Sequence, residues 1–132
     1  MAEIAKVSST VPPVAVGVIG TGGMGRRHAL NLHNKVKGVV VAGLSDVDEA
    51  RAAQVASECN GATIFTDPYE LIADERIDAV LISSPDPTHV DYALACLAQH
   101  KPVLCEKPLA TSPEEAQRVL DAEIAAGRQL VA

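Results

Sequence analysis

Val14-Ala15-Val16-Gly17-Val18-Ile19-Gly20-Thr21-Gly22-Gly23-Met24-Gly25 joins a short apolar run to a set of spaced glycines. Six apolar residues bounded by a glycine turn read as a strand buried on both faces. Gly20, Gly22 and Gly25 keep a G-x-G-x-x-G spacing, and each has its own task. Gly20 permits a sharp turn out of the strand, Gly22 lets the backbone approach a pyrophosphate, and Gly25 lets the following helix pack closely on the strand. A helix beginning at Gly23 turns the N–H groups of Gly23, Met24 and Gly25, with the positive end of its dipole, toward the phosphates. A second apolar run, Val39 to Leu44, then leads to Asp46, about twenty residues beyond the glycines. A carboxylate at that strand tip accepts hydrogen bonds from both hydroxyls of an adenosine ribose and repels a 2′-phosphate. Ser45, Val47 and Asp48 beside it supply no cation for such a phosphate. Together these features point to a dinucleotide site that takes NAD in preference to NADP.

Outward from this unit, strands and helices take turns. A helix runs from Gly23 to about Val36, and another from about Val47 to Cys59, with Ala52, Val55, Ala56 and Cys59 on one stripe. Asn60-Gly61 stops it, and Thr63 to Phe65 forms a short strand. Asp67-Pro68-Tyr69-Glu70 then carries a cap, a first-turn proline and a glutamate able to complete a capping box. Asp78 to Ile82 is the fourth strand. After the proline-containing loop Ser83 to Thr88, with Asp86 or Thr88 as its cap, comes a helix whose stripe is Val90, Ala93, Leu94 and Leu97. Pro102 to Cys105 is the fifth strand. Ser112-Pro113-Glu114-Glu115 starts a helix with Ala116, Val119, Leu120 and Ile124 inward, ended by Gly127, and Gln129 to Ala132 opens a sixth strand. Strands alternating with helices imply βαβ crossovers and an α/β fold, a doubly wound parallel sheet in a single domain over residues 14–132.

Composition narrows the function classes. The chain has 132 residues, 48% of them hydrophobic, yet only Phe65, Tyr69 and Tyr92 are aromatic. The core is therefore built from Val, Ile, Leu and Ala, as in a parallel sheet covered by helices. A net charge of -6 without a basic cluster argues against nucleic acid or an anionic membrane as partner. No apolar run reaches the eighteen or so residues of a membrane span. Cys59, Cys96 and Cys105 lack metal-ligand spacing, so no metal site is expected, and buried reduced thiols fit the cytoplasm. Residues 1–13, with mixed charge and no hydrophobic stretch, read as a disordered lead-in rather than a signal peptide.

In a doubly wound sheet the ligand lies beyond the carboxyl ends of the strands, so the strand-to-helix loops carry the chemistry. Ser83-Ser84-Pro85-Asp86-Pro87-Thr88-His89 is stiffened by prolines and placed to run along the nicotinamide half of a dinucleotide. Its bland alternative is an ordinary proline-shaped turn. Cys105-Glu106-Lys107-Pro108-Leu109 sets a lysine directly after a buried strand on the ligand face. An ammonium there can orient a substrate hydroxyl, lower its pKa and join a proton relay as hydride leaves the carbon. His28, His33 and His100 read as helix-surface residues without a role.

GVIGTGGMGRRHA, GLSDVD and SSPDPTHVDYALACLAQHKPVLCEKPLA, in this order, resemble the glucose-fructose oxidoreductase / inositol dehydrogenase (Gfo/Idh/MocA) family over about Val14 to Ala132. Its myo-inositol and related sugar dehydrogenases are the nearest in pattern. The resemblance implies a Rossmann NAD(P)-binding domain of a dehydrogenase that moves hydride between the nicotinamide and a sugar or polyol hydroxyl. It implies cofactor contacts from Gly20, Gly22, Gly23, Met24, Gly25, Asp46, Ser84, Pro85, His89, Glu106, Lys107 and Pro108. Lys107 matches the catalytic lysine, Glu106 helps position cofactor and lysine, and the Lys107–Pro108 peptide can be cis, which proline tolerates at about 0.5–1 kcal/mol. Family members continue into a second α/β domain that holds the substrate pocket and an Asp and a His of the catalytic set. The chain is accordingly expected to be truncated before that domain, to bind cofactor without turning over substrate alone, and to leave homo-oligomer formation open. A non-catalytic nucleotide-binding module and a methyltransferase-like domain remain the other readings, and the second of these leaves Glu106-Lys107-Pro108 unexplained.

Overall fold

A computed structural model describes residues 11–127 and 130–131. Most of the expected lead-in, residues 1–10, lies outside the described residues, as do two positions, 129 and 132, of the expected sixth strand. The strands are β1 (Val14–Ile19), β2 (Val39–Ser45), β3 (Thr63–Ile64), β4 (Ala79–Ile82), β5 (Val103–Cys105) and β6 (Leu130–Val131). The helices are α1 (Gly23–Lys35), α2 (Glu49–Glu58), α3 (Pro68–Ala73), α4 (His89–Ala98) and α5 (Pro113–Ala126). All strand pairs are parallel, in the order β3-β2-β1-β4-β5-β6. The chain thus winds outward from β1 in one direction and returns to build the other half, leaving a switch point between β1 and β4.

Period-two alternation along each strand sorts its side chains between two helical layers. On one face Val16, Val18, Val41 and Leu81 pack against Ala29 of α1 and Val55 and Ala56 of α2. On the other, Ile19, Val80, Ile82 and Val103 meet Leu71 and Ile72 of α3 and Ala93 and Cys96 of α4. Helix α5 packs chiefly on α4, through Val119 against Val90 and Leu97. This narrows its expected stripe. Leu120 and Ile124 are 47% and 72% exposed, because a single neighbouring helix covers only the Val119, Ala122 and Ala126 side.

Helix starts follow local capping. Asp48 accepts from the Arg51 N–H at 3.1 Å, so α2 begins at Glu49 and Val47 is left exposed. Asp67 caps α3 through the Tyr69 N–H at 2.8 Å, but Glu70 does not return a bond, so the expected capping box is half built. Ser112 caps α5, which Gly127 ends in the left-handed conformation. At α4 neither Asp86 nor Thr88 caps with its side chain. A 3₁₀ turn over Asp86–Thr88 leads directly into the helix instead. The three cysteines are buried and free, and burial pushes the Cys96 thiol up to about 12 and Cys105 to about 11. Among the described residues no helix is long and apolar enough to cross a membrane, and no group of three His, Cys, Asp or Glu side chains is arranged to hold a metal ion.

Candidate functional site

Parallel pairing brings the ends of β2, β1, β4 and β5 to one edge of the sheet, so Asp46, Gly20, Ser83 and Glu106 follow one another along it. Gly20 has a φ of +92°, and its N–H donates to the Ser45 carbonyl at 2.8 Å. A Cβ at Gly20 would stand 2.6 Å from the Ser83–Ser84 backbone, and one at Gly25 would stand 1.8 Å from the Gly20 carbonyl oxygen. The turn is therefore clamped between the next strand and its own helix. Around Gly22, by contrast, a Cβ would meet nothing within 4 Å. Gly22 gives α1 no side-chain cap, the first turn holds no acidic residue, and Gly23 and Met24 are exposed. The result is an open, electropositive helix start with room for an anion against the backbone.

Beside the turn lies a cleft of about 370 Å³ walled by Gly22, Asp46, Arg51, Ser84, Pro85 and Tyr92. Asp46 stands at its inner wall with its side chain only 4% exposed. Its Oδ2 accepts from the Thr21 N–H and hydroxyl, both at 2.7 Å, and its Oδ1 from the Asp48 N–H at 2.8 Å and from Arg51 at 3.0 Å. Burial works against the charge. Arg51, the Asp48 and Thr21 N–H groups and the Thr21 hydroxyl outweigh it and hold the carboxyl at about 2. Two corrections to the sequence expectation follow. Asp46 already has partners on both oxygens, and a cation does stand beside it: Arg51, one helical turn beyond its cap Asp48. Counting that turn from Asp48 would have found it. Thr21, 1% exposed, ties the turn to Asp46, a role that the glycine spacing does not signal.

Ser84 and Pro85 border the same cleft. Thr88 spends its hydroxyl hydrogen on the Pro85 carbonyl at 2.6 Å, so the Ser84 hydroxyl donates to Thr88, also at 2.6 Å. His89 departs from the expectation of a cofactor contact. Its ring is 1% exposed and stands between two loops, Nδ1 2.7 Å from the Pro108 carbonyl and Nε2 2.8 Å from the Ser84 carbonyl. The ring is thus buried between the loop after β4 and the loop after β5, with its N–H donating to one of the two carbonyls.

That second loop leaves β5 with the Glu106 N–H bonded to the Ile82 carbonyl at 2.9 Å, and the Lys107–Pro108 peptide is cis. Lys107 and Pro108 are exposed. The Glu106 carboxylate accepts from His28 Nε2 at 2.7 Å, and this bond is the main reason its pKa lies below the usual carboxylate value. His28 is therefore not the idle surface residue expected from the sequence. A cleft of about 210 Å³ opens between His28, Leu81, Leu104, Glu106 and Lys107. Elsewhere, Lys101 donates to the Ile72 and Asp74 carbonyls at 2.5 and 2.6 Å and closes the end of α3 away from the site.

Known proteins share this fold. The family model GFO_IDH_MocA, described as an oxidoreductase family with an NAD-binding Rossmann fold, matches residues 14–132. The chain is 52% identical over 118 residues to an inositol 2-dehydrogenase of Rubrobacter xylanophilus, which covers 89% of the chain and 34% of the relative. It is 51% identical over 116 residues to inositol 2-dehydrogenase 2 of Saccharopolyspora erythraea, covering 88% and 34%. Among solved structures, myo-inositol dehydrogenase from Lactobacillus casei in complex with NAD(H) and myo-inositol superposes with a TM-score of 0.84 at 36% identity, covering 89% of the chain and 36% of that protein. The chain spans about a third of the length of the relatives it matches.

Proposed function

The chain belongs to the GFO_IDH_MocA oxidoreductase family as an NAD-binding Rossmann domain, and on that premise we propose that it serves a dehydrogenase acting on a polyol such as an inositol. The observation that carries the reading is the edge on which the open glycine turn, Asp46 and Lys107 fall in the order a dinucleotide needs. The residues fit the cofactor. The space at Gly22 and the uncapped start of α1 receive the pyrophosphate, and Asp46 takes the adenosine ribose once Arg51 yields one of its bonds. The nicotinamide half then extends past Ser84 and Pro85 toward Glu106, Lys107 and Pro108. When bound, NAD supplies the hydride acceptor.

The protein's own contribution is orientation and charge. Lys107, exposed at the end of β5, points an ammonium at the substrate hydroxyl and steadies developing negative charge on its oxygen. Glu106 and Pro108 fix where that ammonium stands. Three buried free thiols suit the cytoplasm as the working compartment.

Titration calorimetry on the chain is expected to give binding of NADH, weaker binding of NADPH and none of S-adenosylmethionine. No NADH binding at ligand concentrations up to the millimolar range would overturn the cofactor assignment. For the activity, residues 14–132 replace the corresponding segment of the Rubrobacter xylanophilus relative. That chimaera is expected to oxidise a polyol with NAD, and Lys107→Ala in it to abolish turnover while NADH binding persists. An active Lys107→Ala chimaera would overturn Lys107 as the catalytic lysine.

A further inference from the structure

We propose that His28 is a positioning residue that acts through Glu106, holding that carboxylate against α1 at the nicotinamide half of the cofactor site. The inference rests on the reading of the site above and adds a residue to it. His28 lies three residues beyond Gly25, on the helix whose start faces the pyrophosphate, and reaches across 78 positions of sequence to Glu106 at 2.7 Å. Both side chains are 27% exposed, so the pair is partly withdrawn from water and closes one wall of the smaller cleft.

Lys107 consequently sits in a loop anchored from both sides of the sheet. On the α4 side His89 engages the Pro108 carbonyl, and on the α1 side His28 engages Glu106. The two anchors are not equivalent. His89 fixes backbone, whereas His28 fixes a charge. Among the described residues His28 makes the single side-chain hydrogen bond to the Glu106 carboxylate, which also accepts from the Lys107 N–H. Without His28 the Glu106 carboxylate loses its hold on α1 and shifts from its place at the nicotinamide half of the site. The adenosine half, built from Gly22, Asp46 and Thr21 on the other side of β1, is untouched by that change.

A part-exposed side-chain hydrogen bond of this kind contributes little to stability. A purely structural role would therefore alter melting slightly and affect all ligands alike. A positioning role separates the two halves of the cofactor. Calorimetry with NADH and with ADP-ribose, which lacks the nicotinamide, is done on the chain and on His28→Ala and His28→Gln. For His28→Ala, NADH affinity is expected to fall roughly three- to tenfold, on the order of 1 kcal/mol, with ADP-ribose within about twofold of the parent. His28→Gln, whose amide can still donate to Glu106, is expected to recover most of the loss. Equal loss of both ligands in His28→Ala, or no loss of either, overturns the proposal. So does a Gln variant as weak as the Ala one. A parent chain that binds ADP-ribose but shows no gain from the nicotinamide overturns it too, and one that binds neither ligand overturns the cofactor assignment first.

Discussion

Replacing Gly25 and Gly22 in turn by alanine separates the structural from the ligand-facing part of the glycine turn. A Cβ on Gly25 would lie 1.8 Å from the Gly20 carbonyl oxygen and 2.7 Å from its carbon. Gly20 cannot give way. Its φ is +92°, its N–H is bonded to Ser45, and its other side is pressed against the Ser83–Ser84 backbone. Helix α1 must therefore recede by about 1.5 Å to restore ordinary contact, pulling the fully buried Ala29 out of its packing. Overpacking against backbone costs about 3 kcal/mol, the upper end of the usual range. For a domain of this size that lowers Tm by roughly 10 °C. Gly22→Ala meets no protein atom within 4 Å and replaces only a helix cap, so its cost stays within about 1 kcal/mol. Yet its methyl group occupies the approach to the pyrophosphate, and NADH affinity should drop at least about tenfold. Urea unfolding and calorimetry on both variants test the pair. If Gly25→Ala unfolds within about 0.5 kcal/mol of the parent, or Gly22→Ala loses as much stability as Gly25→Ala, the assignment of tasks within the turn is wrong.

The Asp46 carboxyl, held at about 2, contributes stability that is complete above its unfolded value near 4 and is lost as pH falls from about 4 to about 2. For a side chain only 4% exposed this amounts to about 2 kcal/mol, so between pH 5 and pH 2.5 the parent should lose more unfolding free energy in urea than Asp46→Asn by about that margin. Parallel pH profiles would remove Asp46 as the cause. Lys101→Met leaves the Ile72 and Asp74 carbonyls without their donor and should cost about 2 kcal/mol in the same assay, with NADH binding unchanged. A neutral outcome would mean that water replaces the ammonium. Asp46→Ser removes the charge that repels a 2′-phosphate and leaves Arg51 to meet it, so the NADH-over-NADPH preference should narrow; an unchanged affinity ratio counts against Asp46 as the ribose ligand.

Much of this protein was legible residue by residue. The strand from Val14 to Ile19, the turn at Gly20, the cap-and-proline starts at Asp67-Pro68 and Ser112-Pro113, and the stop at Gly127 are short-range features, and each fell within a residue or two of its expected place. The width of a helix's buried face was less legible. It depends on how many neighbours the helix has, and α5 has chiefly one.

The sequence by itself determined the doubly wound sheet and the edge on which its loops would gather, because apolar periodicity, glycine freedom and helix capping act within a few residues of their cause. Only the tertiary structure decided which side chains meet on that edge. It gave Asp46 its bond to Arg51, buried His89 between the Ser84 and Pro108 carbonyls, and joined His28 to Glu106. The two histidine contacts bridge separate strand-to-helix units. Their geometry is set by how the helices dock on the sheet, and no local pattern in either partner encodes it.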